Sequence, residues 1–401
     1  MKRKIWAILL SLIVVLCFSV GLTACDESSK GETNTGETNT GETQETQDAE
    51  TQPPALHKHT FGVYNECTDC GESWEYTDGL EYAISLSDDN LGKYVVTGIG
   101  AASGDIVLPY GHEGIAVTGI AYEAFKDCAE LTGITIPDSI TSIKGSAFSS
   151  CIGLTSVTIP DSVTSMGGGI FSGCKNLTNI TLPKGATAIA GSAFYNCSKL
   201  ASVSIPDSVT SIGYMAFYGC NSLTSVTLPK GVTTIESSAF FGCSLTDVTI
   251  PDGVTSIGES AFSGCHFKSV KIPDSVTSLG IKAFYFCTSL VDVTIGNGLT
   301  SIEEGAFSNC QALTNLTFGN NLTSIEANAF EGCSSLENVI LGSKVTSIGN
   351  WAFSSCSALT SITFQGTTTQ WMSIVKGSNW RAPYCSSVIC SDGTLTGDDI
   401  G

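Results

Sequence analysis

Four residues near the start of the chain have the types and spacing of a metal site. The stretch "HKHTFGVYNECTDCG" supplies His57, His59, Cys67 and Cys70. Two imidazoles and two thiolates can close a tetrahedral Cys₂His₂ shell around zinc, and a closed shell is structural rather than catalytic. Two further readings of the same residues stand beside it: a Cys67–Cys70 disulfide, and free thiols with no metal. A second pair, Cys385 and Cys390, admits a local disulfide or apolar packing.

A longer series of thiols is periodic. Phe precedes Cys by three residues at Phe125/Cys128, Phe148/Cys151, Phe171/Cys174, Phe194/Cys197, Phe217/Cys220, Phe240/Cys243, Phe262/Cys265, Phe284/Cys287, Phe307/Cys310, Phe330/Cys333 and Phe353/Cys356. Successive cysteines lie 23 residues apart, except for two steps of 22. One thiol per period makes a column, and an odd column of eleven cannot pair completely. Cysteine also packs as a small apolar side chain. The expectation is eleven reduced thiols buried beside a phenylalanine column.

Ordinary catalytic chemistry finds little material. The chain has four histidines, His57, His59, His112 and His266, and neither of the last two has a motif around it. No Gly-rich phosphate loop, nucleophile elbow or paired-carboxylate signature is present. The formal net charge is −20, which disfavours nucleic acid and bare anionic lipid as partners. The position after the turn proline reads Asp138, Asp161, Lys184, Asp207, Lys230, Asp252, Asp274. Each lysine falls between aspartates, which relieves repulsion along one edge and argues against a calcium ladder.

The elements that position these groups follow from the period. One unit reads "LTSVTIPDSVTSIGxxAFxxC". Its "LTSVTI" part alternates apolar and polar residues, as a half-buried strand does. Pro-Asp-Ser or Pro-Lys-Gly is turn chemistry. "VTSIG" is a second short alternating piece, and "AFxxC" suits a tight helical or 3₁₀ turn. No single unit can bury its Leu, Val, Ile and Phe, but stacked units share one interior. The fold class is therefore a β-rich solenoid, with rungs about 4.8 Å apart.

The 23-residue unit resembles the BspA-like leucine-rich repeat found on bacterial surface proteins and on some protist surface proteins. The resemblance covers about Gly79 to Gly401. "YVVTGIGAASGDIVLP" (Tyr94 to Pro109) resembles the family's opening half-repeat, and "FQGTTTQWMSIVKGSNW" with "CSDG" (Phe364 to Gly393) its closing segment. The family implies a leucine-rich-repeat solenoid in the form of a right-handed curved ladder, and many members are described as adhesins for host matrix proteins or other bacteria. Short Cys/His segments accompany such repeats in other exported proteins. The CxxC-Gly half at Cys67–Gly71 resembles a zinc knuckle.

The N-terminus reads as an export signal: Lys2, Arg3 and Lys4, an apolar run from Ile5 to Val20, then "LTAC" at Leu22 to Cys25. A transmembrane helix is the alternative, for which the run is short. "LTAC" resembles the lipobox of bacterial lipoproteins, which implies cleavage before Cys25 and diacylglycerol on its thiol. Removing the three basic residues takes −20 to −23. "DESSKGETNTGETNTGETQETQDAETQPP" cannot bury a core and reads as a disordered stalk. As a coil of roughly 30 residues it reaches roughly 30 Å.

The expected organisation is a signal peptide over 1–24, the lipidated Cys25 and stalk over 25–56, and the Cys/His segment over 57–78. An N-terminal cap follows over 79–120, then the repeats over 121–364 and a C-terminal cap and tail over 365–401. The expected structural core includes Phe148, Cys151, Phe171, Cys174, Phe194, Cys197, Phe217, Cys220, Phe240 and Cys243. The expected binding face is the row of short polar strand residues, including Thr158, Thr181, Ser204, Thr227 and Thr249 with their neighbours Ser202 and Ser225. Such a row suits a host or bacterial surface protein or a polysaccharide. Thr and Ser simply filling β positions, and a threonine array ordering water, are the other readings of the same row. The overall expectation is a monomeric, non-catalytic cell-surface lipoprotein held to the membrane by its lipid alone. A cell-envelope scaffold and an enzyme hidden in the caps around Trp371, Trp380 and Arg381 are the alternatives.

Overall fold

The structure is a computed structural model that describes residues 75–87 and 90–401, all within one compact unit. The expected signal peptide, Cys25, the expected stalk and His57, His59, Cys67 and Cys70 lie outside the described residues.

Each repeat contributes three stacked lines. The first is the "LTSVTI" strand. Ser156–Thr158 pairs in parallel with Asn179–Thr181. Ser269–Ile272, Asp292–Ile295 and Asn315–Thr317 form a second parallel group, and Asn338–Leu341, Ser361–Phe364 and Ser387–Cys390 a third. Residues at the same repeat position pair directly, as Val270 does with Val293. The register is therefore set by the period itself. The alternation behaves as the sequence implies, with Val293 buried between exposed Asp292 and Thr294.

The second line is the "VTSI" strand, such as Ser211–Ile212, Thr234–Ile235 and Ser256–Ile257 in one parallel group. A glycine follows it where the rungs approach closely, while Lys144, Ala190, Glu236, Glu303 and Glu326 hold the same position in other units. A Cβ at Gly280 would run into the backbone of Glu259 on the rung before.

The third line is the "AFxxC" arm. The expected helical turn is here a pair of β-turns, each with a left-handed residue at its third position. Ala124 N donates to Ala121 O around Glu123 (φ 57), and Cys151 N donates to Phe148 O around Ser150 (φ 60). Positive φ at that position defines a type II turn. Serine, asparagine and glycine fill most of these positions, whereas Met215, Lys282, Phe286 and Trp351 hold the same conformation with large side chains. The arm still hydrogen-bonds from rung to rung, as from Phe217 N to Ala239 O at 2.8 Å.

The core is the shared interior of these lines. Phenylalanine rings from Phe125 to Phe353 stack with centroids 5.2–5.9 Å apart and planes within 13°. An antiparallel pair, Glu81–Ile84 with Tyr94–Gly98, closes one end. At the other, Ser387–Cys390 turns back on Gly393–Thr396, beside the helix Thr368–Ser373 and the 3₁₀ helix Gly397–Ile400. Among the described residues no helix is long and apolar enough to cross a membrane.

Candidate functional site: the strand face and the thiol column

The thiols occupy fixed places. Ten of them, Cys151 through Cys356, have no exposed surface, and Phe148, Phe171, Phe194, Phe217 and Phe240 beside them are at most 1% exposed. Each of the ten donates its S–H to the carbonyl of the phenylalanine one rung earlier, at 2.9–3.4 Å. That carbonyl also accepts the N–H of its own unit's cysteine, as Phe194 O accepts from Cys197 N. Cysteine is thus an apolar filler that also carries a weak donor, where valine or alanine would supply none.

Burial pushes the Cys220 thiol up to about 12, and Cys197, Cys243, Cys265, Cys310 and Cys333 well above the usual thiol range. For Cys151 the thiol of Cys174 acts first and burial second, in the same direction. Cys128 departs from the expectation of a fully interior column. It is the first of its line, no earlier repeat covers it, and it is partly exposed with a contact of 3.7 Å to Lys126 O. All thirteen cysteines among the described residues are free, including buried Cys385 and Cys390.

The residues expected to form a binding face share one line of the structure. Thr158, Thr181, Ser202, Ser204, Ser225, Thr227 and Thr249 are all exposed. They are not one continuous sheet. Thr158 and Thr181 belong to paired strands. Ser202, Ser204, Thr227 and Thr249 lie outside any strand, and Ser225 makes a single isolated bridge to Asp247. Two open grooves lie along this line. One of about 830 Å³ is lined by Asp105, Thr132, Ser156, Thr158 and Lys184 among others, and one of about 690 Å³ by Ser225–Leu228, Lys230 and Asp247–Gly253.

A second hydroxyl row lies on the "VTSI" line: Thr141, Thr164, Thr187, Thr210, Thr233, Thr255, Thr277, Thr300, Thr323 and Thr346. Along it Thr210 Oγ1 donates to Thr187 O at 3.1 Å and Thr233 Oγ1 to Thr210 O at 3.3 Å. These hydroxyls spend their protons on the ladder itself. The period that marks the first row marks this one as well.

On the turn edge Lys184 Nζ pairs with Asp161 at 3.0 Å, and Asp274 accepts from the backbone of Asn297 at 2.7 Å, so that edge is a ladder of side chains capping the next rung. Among the described residues no group of three His, Cys, Asp or Glu could hold a metal ion.

In the C-terminal cap Trp371 is fully buried and its indole N–H donates to Ile400 O at 3.0 Å, while Trp380 donates to Gly401 O at 2.7 Å. Lys376 donates to the carbonyls of Trp371 and Ile374, with its ammonium over the Trp371 ring. Both tryptophans and the lysine are thereby engaged in closing the stack. At the other end His112 stacks on Tyr82 at 4.1 Å, and burial, followed by Tyr76 and Asp78, pushes the Tyr82 phenol up to about 12.

Comparison with known proteins bears on this geometry. The sequence model described as BspA type Leucine rich repeat region matches residues 118–244, 187–266, 210–326 and 278–375, in six copies. No curated protein matches the chain. Among solved structures it is similar to a leucine rich cell surface protein from Faecalibacterium prausnitzii (31% identity, 76% of this chain and 98% of that one, TM-score 0.45). It is also similar to a leucine-rich repeat protein from Bacteroides ovatus (24% identity, 78% and 98%, TM-score 0.47) and to the pneumococcal vaccine antigen PcpA (19% identity, 82% and 89%, TM-score 0.47). With matches running through residues 118–375 and repeat units stacked in register, the chain belongs to the BspA type leucine-rich repeat family.

Proposed function

We propose that this chain is a non-catalytic cell-surface lipoprotein whose repeat ladder binds a protein or glycan ligand, in adhesion to host or bacterial surfaces. One observation carries the reading: the exposed row Thr158, Thr181, Ser204, Thr227, Thr249 offers short hydrogen-bonding groups over consecutive rungs with little charge. Such a surface binds by many small contacts and brings no nucleophile, base and orienter together. In this reading Cys25 carries the lipid, residues 26–54 space the ladder from the membrane, and His57, His59, Cys67 and Cys70 hold a structural zinc.

The test is an array of matrix proteins, glycans and whole bacteria, probed with the full chain and with a Thr158→Lys/Thr181→Lys variant. Binding to some component that the variant loses supports the reading. No binding to any component sinks it. Metal content of the purified chain, with Cys67→Ala as control, tests the zinc separately.

A further inference from the structure

The "AFxxC" line ends, at the C-terminal cap, with an unused donor and an unpaired cation. Phe353 N donates to Trp380 O at 2.7 Å, as Phe330 N does to Ala352 O in the unit before. By that register Arg381 stands where the next unit would carry its phenylalanine. Pro383 then breaks the pattern, and Ala382 O accepts from Cys385 N at 3.1 Å. The consequence falls on Ser355. In earlier units the N–H at its position donates to the next rung, as from Ser150 to Ser172 O at 2.7 Å and from Gly332 to Ser354 O at 2.8 Å. Among the described residues the N–H of Ser355 has no partner. A backbone donor that loses its ladder partner needs another.

A groove of about 690 Å³ lies at this point, with Trp351, Ser354, Ser355, Asn379 and Arg381 in its lining. Arg381 makes no hydrogen bond or ion pair among the described residues. It is also their one arginine, and its planar fork matches both oxygens of a carboxylate where a lysine offers a point charge. Lys376 reaches the same groove, but its ammonium is spent on the carbonyls of Trp371 and Ile374. Gly401 lines it too, with its oxygen bonded to the Trp380 indole. No Asp or Glu side chain is in the lining. Trp351 holds the left-handed position (φ 53) that Asn328 fills in the unit before, and it is 43% exposed.

We propose that this groove binds an acidic sugar, a uronic or sialic acid unit of a glycan, with its carboxylate on the Arg381 fork and the Ser355 N–H and its ring against Trp351. One unpaired cation balances one negative charge, which a carboxylate carries and a phosphate monoester exceeds. The sugar ring brings a C–H face for the exposed indole. Its hydroxyls donate and accept from one atom, which suits Ser354, Ser355 and Asn379. An acidic peptide side chain brings the carboxylate without the ring. The groove is on the "AFxxC" line and not on the strand face, so it stands apart from the binding row proposed above.

Titration calorimetry on the full chain tests it, with trigalacturonate, a hyaluronan tetrasaccharide and sialyllactose, each also as its carboxyl methyl ester. At least one acid form is expected to bind, and its ester at least about tenfold more weakly. Arg381→Gln and Arg381→Lys are each expected to weaken that binding at least about tenfold. Arg381 has no partner to lose, so both variants keep the cap folded. Trp351→Asn, which copies Asn328 and keeps the turn, is expected to weaken binding by a similar factor. Thr158→Lys/Thr181→Lys on the strand face is expected to leave it unchanged. Binding of none of the three sugars overturns the proposal. So does equal binding of acid and ester, equal binding by Arg381→Gln, or binding of an aspartate-rich peptide or inorganic phosphate in place of the sugars.

Discussion

Raising the pH should unfold this protein far more steeply than its surface charge implies. Seven fully buried thiols, Cys151, Cys197, Cys220, Cys243, Cys265, Cys310 and Cys333, have pKa values raised in the folded state, Cys220 to about 12. In the unfolded chain a thiol titrates near 8.5. Between those values the unfolded state has lost the proton and the folded state keeps it, so stability falls as pH rises. It is fully present below about pH 8.5, and the loss continues up to the folded pKa. One pH unit above 8.5 each thiol costs roughly 1.4 kcal/mol, and seven together about 10 kcal/mol. That is comparable with the whole stability of a typical domain, about 5–15 kcal/mol. The assay is denaturant unfolding under reductant from about pH 7 to pH 10, with thiolate absorbance read in parallel. Little change is expected up to about pH 7.5, a loss of about 3 kcal/mol by about pH 8.5, then collapse within about one further unit, with thiolate appearing only as the fold is lost. A Cys197→Ala/Cys220→Ala/Cys243→Ala variant should lose three-sevenths of the slope. Equal stability at about pH 8 and pH 9.5, or thiolate forming in the folded chain, would falsify this reasoning.

Phe217 is fully buried between Phe194 and Phe240, so Phe217→Ala should cost about 3–5 kcal/mol in denaturant unfolding, more than the same change at Phe353 near the end of the stack. Trp371→Phe leaves the buried Ile400 carbonyl without its indole donor and should cost about 1–3 kcal/mol, measured in the same way. Lys184→Ala should leave the melting temperature unchanged within error, because both partners of its pair with Asp161 are open to water. Alkylation of the native chain, read by mass spectrometry, should label Cys128 well before Cys151 through Cys356, which should react only on unfolding.

The period, the stacked core and the interior thiols were legible because identity at one spacing is a direct sign of stacking. What each cysteine does beyond filling space was not: its S–H bond to the earlier phenylalanine carbonyl crosses between units, so no single unit shows it. The exposure of Cys128 was legible in principle, since a first rung has no neighbour on one side. The two-turn form of "AFxxC" was half legible. Gly, Asn and Ser recur at its left-handed positions, but Phe286 and Trp351 occupy the same conformation and hide the rule. The row of Ser204, Thr227 and Thr249 was found by alternation. The loss of strand pairing at 201–205 was not, because "ASVSI" there has the same pattern as "TSVTI" at 155–159, where Ser156–Thr158 is paired.

Binding through the strand face is tested most directly by the full chain on an array of surface proteins, neutral glycans and cells, comparing wild type with two variants. Thr181→Lys/Thr227→Lys alters the face, and Tyr214→Lys alters an exposed position on the turn arm. The expected result is a ligand bound by wild type and by Tyr214→Lys and lost by the face variant. Equal binding by all three, or loss with Tyr214→Lys alone, would contradict it.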